Sequence, residues 1–340
     1  MKSESHLGKT IGVYETFITR AWKTTHDHKE LWFFGILTSW IASGSILITV
    51  IRQILHVRPA SEVTVSSLEY ALAGEPIITS FAKNLIALST PQFLLTISLM
   101  IFLAIVLVII TIGAQQVLVN GVHRSARKKK HLTAAQLLAE LKHLHFWRLF
   151  ALNALVIIAT LIITSLASLL LSALISESLT LNFLVYIGIY AVTLPPLLLA
   201  NIMGMSSIIH MIRKDTSIDE ALHYGYHIIK KHWLVALELS IILLFINAVA
   251  AIIVGIVLAV LVFIMTSVFF AALFSGSVFL TTLVGALTFI LGIGTIVFIT
   301  GIITTFNYSA WTYMLERLDR FHIVPAFESA LTFAMRPFTK

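Results

Sequence analysis

The chain has 340 residues, of which 58% are hydrophobic and 11% charged, with a formal net charge of +7 and no cysteine. A soluble domain carries roughly 25% charged residues, so this composition leaves too little polar surface for water and points to lipid as the solvent. The lack of cysteine excludes disulfides, thiolate metal sites and cysteine nucleophiles.

Residues 1–30 are polar and of mixed charge, and the first apolar stretch begins only at Leu31. That stretch runs past twenty residues, so it reads as a retained span and not as a signal peptide. Hydropathy predicts six spans, at 31–52, 93–115, 147–172, 182–204, 233–257 and 281–303. Each is long enough to cross a hydrocarbon core of about 30 Å at 1.5 Å per helical residue. Trp32, Trp147 and Trp233 stand at the first apolar turn of three of these spans and are expected at the headgroup level.

The connection 53–92 is too long for a bare turn. Its segment SEVTVSSLEYALAGEPIITSFAKNLIAL reads as two short amphipathic helices, broken at Gly74-Glu75-Pro76 and resting on the outer surface. After the second span come Arg124, Arg127, Lys128, Lys129 and Lys130, a juxtamembrane cluster suited to anionic lipid headgroups at about 1 kcal/mol per cation. The loop is too short to fold as a basic face with aromatic platforms, so no nucleic-acid partner is expected. TAAQLLAELKHLHFW follows, with Leu137, Leu141 and Leu144 at helical spacing and Thr133 as its cap.

Within the fourth span, Pro195-Pro196 lack the amides that would bond the carbonyls of Ala191 and Val192, which predicts a kink. In SIDEALHYGYHIIKKHW, Ile218, Leu222, Tyr226 and Ile229 fall at helical spacing, and Ser217 with Glu220 makes a capping box. From Trp233 to Phe306 the one ionisable side chain is Glu238. This stretch fits two long helices with an interfacial or re-entrant piece between them, or up to four short ones, and Ser275-Gly276-Ser277 is its natural turn.

Under the six-span reading, Lys and Arg number five in 1–31, seven in 116–148, four in 205–232 and four in 307–340, against Arg52, Arg58 and Lys83 on the other side. Cytoplasmic loops carry the excess of Lys and Arg, so both termini are expected in the cytoplasm. Three segments also share one order of events: an amphipathic helix, a Lys/His stretch, a tryptophan, two spans and a basic exit. The copies lie at about 10–130, 131–215 and 216–320 of a single membrane domain covering 1–340. The expected fold is therefore all-α, a polytopic transmembrane bundle of six spans arranged as three hairpins. An amphipathic helix on the membrane interface, or in a small cytoplasmic layer, leads into each hairpin.

Intramembrane polar groups are candidate sites by default. Glu238 lies about 7.5 Å along the helix from Trp233 at 1.5 Å per residue, and is expected to reach the interface. Asn153, Asn247 and Asn201 are expected to hydrogen-bond between helices. Glu220, His223 and His227 share a helical face that could hold a metal, but there is no HExxH, so no metal or cofactor is expected. The P-loop, the GxSxG elbow and the paired aspartates of phosphatidyl transferases are also missing, and no catalytic residue is assigned. Gly285, Gly292, Gly294 and Gly301 in the sixth span suggest close helix packing.

The segments ALHYGYHIIKKHW, LWFFGIL and NYSAWTYMLERL, set in three hairpins, resemble the six-helix membrane domain attached to some bacterial glycerophosphodiester phosphodiesterases and its stand-alone relatives. The resemblance covers nearly the whole chain and implies the six-helix fold. There is no room for the soluble phosphodiesterase barrel, so that activity is not implied, nor any site residue. The reading that results is a non-enzymatic membrane protein that contacts lipid, a protein partner or another copy of itself. A small-solute transporter or channel is the alternative, suggested by the repeats, the proline pair and the asparagines. A membrane enzyme built on Glu238 or on the Glu220/His223/His227 face is a third.

Overall fold

A computed structural model of the chain describes residues 4–42, 90–128, 146–174, 179–274 and 276–319. Its elements are α1 Glu4–Asp27, α2 Glu30–Ala42, α3 Thr90–Lys128, α4 Phe146–Leu174, α5 Leu179–Lys214, α6 Ile218–Phe274 and α7 Val278–Leu318, and no strand occurs among the described residues. Five helices are long and apolar enough to cross a membrane, at Thr90–Ser125, Phe146–Leu171, Phe183–Lys214, Ile218–Phe274 and Val278–Leu318. The protein is thus an all-helical, multi-pass membrane protein. In the first predicted span, Glu30–Ala42 is helical, and residues 43–52 lie outside the described residues. The connection 53–89, with its two expected amphipathic helices, and the Leu137/Leu141/Leu144 helix with its Thr133 cap lie outside them as well.

The backbone falls into two compact units. The first comprises 1–43, 111–156 and 198–340, and the second 44–110 and 157–197. In the second, the described helical stretches carry large apolar side chains on their outer surface, such as Leu95, Phe102, Leu161, Leu169, Phe183 and Val192. A surface of this kind is at home only in hydrocarbon.

The first unit contains the continuous buried core. Tyr14, Phe17 and Ala21 of α1 meet Val117 and Val122 of α3, Ile202 and Ile209 of α5, Val235 and Leu239 of α6, and the closing turns of α7 from Phe306 to Leu318. The α2–α7 contact is close because two glycines face each other. A methyl group on Gly35 would collide with Thr305 Oγ1 and the Gly301 carbonyl, and one on Gly301 would lie 3.0 Å from Ile36 N. Thr305 Oγ1 bonds across this contact to Leu31 O at 3.2 Å and within its own helix to Gly301 O at 2.9 Å. Gly301 thus packs as its sequence suggests, while Gly285, Gly292 and Gly294 have nothing within 4 Å of a built Cβ and serve no close contact.

The stretch from Trp233 to Phe306 forms two long helices rather than four short ones. They turn where Ser275-Gly276-Ser277 predicts: Gly276 adopts φ 68°, which glycine enters without steric cost, and Ser277 caps α7 by accepting from Leu280 N. The helix ahead of this hairpin is continuous with it through a break at His232 (φ −129°, ψ 25°). Its capping box forms as expected, with Ser217 N to Glu220 Oε2 and Glu220 N to Ser217 Oγ both at 3.3 Å.

The buried face of this helix differs from the expected one. Ala221, Gly225 and Ile228 are buried, while Tyr226 is 54% exposed. Close approach to α5 selects small residues, and a methyl on Gly225 would stand 2.8 Å from Met203 O. Trp32 is held by other helices. It packs edge-to-face on Phe298, its indole N–H donates to Thr25 O at 2.6 Å, and so it staples α2 to α1 and α7.

Candidate functional site

Polar side chains inside the first unit converge in three places. In the first, Gln115 on α3, Asn153 on α4 and Tyr308 on α7 are buried together. Gln115 Nε2 donates to Tyr308 Oη at 2.8 Å and to Asn153 Oδ1 at 3.3 Å, while Asn153 Nδ2 donates to Gln115 Oε1 and Leu149 O, both at 2.8 Å. Asn153 therefore bonds between helices as its sequence position suggests. Gln115 and Tyr308 are its partners, and the signal for Gln115 was a pair of glutamines at the end of an apolar run. Such a network rigidifies a bundle because leaving any member unpaired in a low-dielectric interior is costly.

Asn247 belongs to the second place, where Asn307 Nδ2 donates to Asn247 Oδ1 at 3.3 Å and ties α6 to α7. Below this pair, Glu238 is half-buried and accepts a hydrogen bond from Tyr14 Oη on α1. Burial, and then the Glu238 carboxylate, push the Tyr14 phenol far above its ordinary range, so its proton stays in place to be donated. Glu238 thus serves as a helix-to-helix acceptor, and the sequence reading missed its partner. Next to it, Thr24 Oγ1 and Tyr313 Oη share a hydrogen bond of 2.6 Å, and Arg317 lies over the Phe17 ring.

The third cluster joins the ends of α5, α6 and α7. Tyr224 Oη donates to Asp319 Oδ1 at 2.7 Å, Arg213 Nη2 lies 3.4 Å from Asp319 Oδ2, and His210 stacks on Tyr224 at 3.8 Å. Burial lowers the His210 pKa, the Asp319 carboxylate opposes that shift, and Arg213 and Lys214 reinforce it. None of these residues was singled out from sequence, because each is unremarkable until three helix ends meet. Arg148 pairs with Asp215 at 3.6 Å nearby.

The other sequence candidates are dispersed. Pro195 and Pro196 lie inside an unbroken α5 and are exposed, and Asn201 is half-buried one turn further on. His223 and His227 are exposed, and Glu220 is committed to its cap. Among the described residues, no group of three His, Asp or Glu is placed to hold a metal. Arg124 is exposed near the end of α3, Arg127 and Lys128 fall in its last turn, and Lys129 and Lys130 lie outside the described residues. Trp147 and Trp233 are 76% and 51% exposed.

No family model matches the chain, and neither the curated proteins nor the solved structures contain a match to it.

Proposed function

We propose that this chain is a non-enzymatic component of the cytoplasmic membrane, with six spans and both termini in the cytoplasm, that engages anionic lipid headgroups through its basic end. Protein partners or further copies would bind at the same end. One observation carries this reading: among the described residues, polar groups at the end of the bundle are engaged with one another across helices, in the Tyr14–Glu238, Thr24–Tyr313 and Tyr224–Asp319–Arg213 contacts. That end also carries the Lys and Arg excess, with Arg124 exposed on it. The apolar α2, Glu30–Ala42, supports the further span expected from 31–52, the rest of which lies outside the described residues. The resemblance to the phosphodiesterase-linked membrane domain is compatible with this arrangement.

A transporter is the second reading. It is favoured by Ser206 Oγ and Ser207 Oγ, buried on α5 without a partner among the described residues, about three turns beyond the proline pair. One preparation tests both readings. Purified protein should retain phosphatidylglycerol or cardiolipin over phosphatidylcholine in native mass spectrometry, and the variant with Arg124, Arg127, Lys128, Lys129 and Lys130 all changed to Gln should lose that preference. Equal retention of neutral lipid would overturn the first reading. Protein-dependent flux of ions or small solutes from vesicles would establish the second.

A further inference from the structure

The α6–α7 hairpin provides a ruler for membrane depth. Its turn lies at Gly276, and the Asn247–Asn307 bond fixes the pairing of the two arms. From that pair to the turn the two arms rise about 43 and 46 Å at 1.5 Å per residue. This matches a whole bilayer of about 40–45 Å including headgroups, and no charged residue lies on either arm in this interval. Two antiparallel arms that cross one bilayer must cross it at the same level. By this pairing the predicted sixth span, 281–303, lies opposite 251–273 and not opposite 233–257.

Glu238 lies nine residues before Asn247, about 13 Å further out along the helix. Its partner Tyr14 belongs to α1, and α1 keeps to that level. Tyr14 meets Glu238, Phe17 meets Arg317, and Thr24 meets Tyr313, so over ten residues the helix advances little along the hairpin axis. Trp22 reaches back toward the hydrocarbon, touching Phe306 with 58% of its surface exposed. Ile18, half-buried, stands one helical turn before it, and Lys23 is exposed on the outer side.

We infer that α1 lies along the lipid surface with Trp22 as its anchor in the headgroup layer, and that the Tyr14–Glu238 contact clamps it there from the water side. The partner of this face is the headgroup layer of the membrane itself. An indole at that depth is favoured because its ring is apolar and its N–H stays wet. The inference adds a lipid contact to the proposed function, but it concerns depth and does not depend on lipid charge.

The cysteine-free chain allows a direct test. Single variants Trp22→Cys, Lys23→Cys, Ile241→Cys and Ile252→Cys are spin-labelled in vesicles of phosphatidylcholine alone, and their depth is read by power saturation with oxygen and a water-soluble nickel complex. The label at 252 should be deep, that at 22 at the interface, and those at 23 and 241 accessible from water. A label at 241 as deep as that at 252 would place the fifth crossing at 233–257 and overturn the ruler. A label at 22 reached freely by nickel and not by oxygen would lift α1 off the lipid. Because the vesicles are neutral, either failure is distinct from a loss of anionic-lipid preference. Tyr14→Phe, which keeps the ring, should make the label at 23 more mobile while leaving 252 unchanged; an unchanged label at 23 would remove the clamp from the account.

Discussion

The Tyr14–Glu238 bond closes a loop of 224 residues and joins the first helix to the last hairpin. A hydrogen bond to a charged acceptor contributes about 1.5–3 kcal/mol, and partial exposure of Glu238 reduces that. Glu238→Gln and Tyr14→Phe should each lower stability by about 1 kcal/mol in detergent unfolding, and the double variant should cost less than their sum. Glu238→Gln combined with Asn153→Ala should be additive, because Asn153 is held by Gln115 and Leu149 instead. His210 gives the pH dependence. Its folded pKa is lowered by burial, so the unfolded chain takes up the proton more readily. Stability is then complete above the ordinary value of 6.5 and falls as the pH drops below it toward the lowered folded value. Melting temperatures between pH 7.5 and 5 should show this loss, and His210→Gln should reduce the difference across that range.

Among the helices, the α2–α7 crossing is the contact most sensitive to a small change. Gly35→Ala or Gly301→Ala inserts a methyl group where backbone and Thr305 already stand, and should cost about 1–3 kcal/mol in thermal unfolding; a neutral result would mean that the two helices lie further apart. Much at this scale could be read from sequence. The turn at Ser275-Gly276-Ser277 and the Ser217–Glu220 cap were legible because each depends on a few adjacent residues with specific backbone chemistry. Span depth was not, since a stretch that is uncharged from Leu239 to Phe306 gives hydropathy no landmark, and only pairing between the arms supplies one. The buried face of the Ile218 helix was missed for a related reason. Periodicity favours large apolar residues, whereas close helix approach buries Ala221 and Gly225 and leaves Tyr226 outside. The partners of Glu238 and Asn153 were illegible because they lie on other helices, far away in sequence.

At the scale of the whole chain, composition and hydropathy led directly to a multi-pass helical membrane protein, and the distribution of Lys and Arg led to an orientation. The account stands on that orientation, since the packed polar end can meet cytoplasmic headgroups only if it lies on the cytoplasmic side. The most direct measurement is a pair of alkaline phosphatase fusions, a reporter that is active only outside the cytoplasm. A fusion after Lys340 should be inactive and one inserted within residues 60–85 should be active; activity at Lys340 with none at 60–85 would contradict the account.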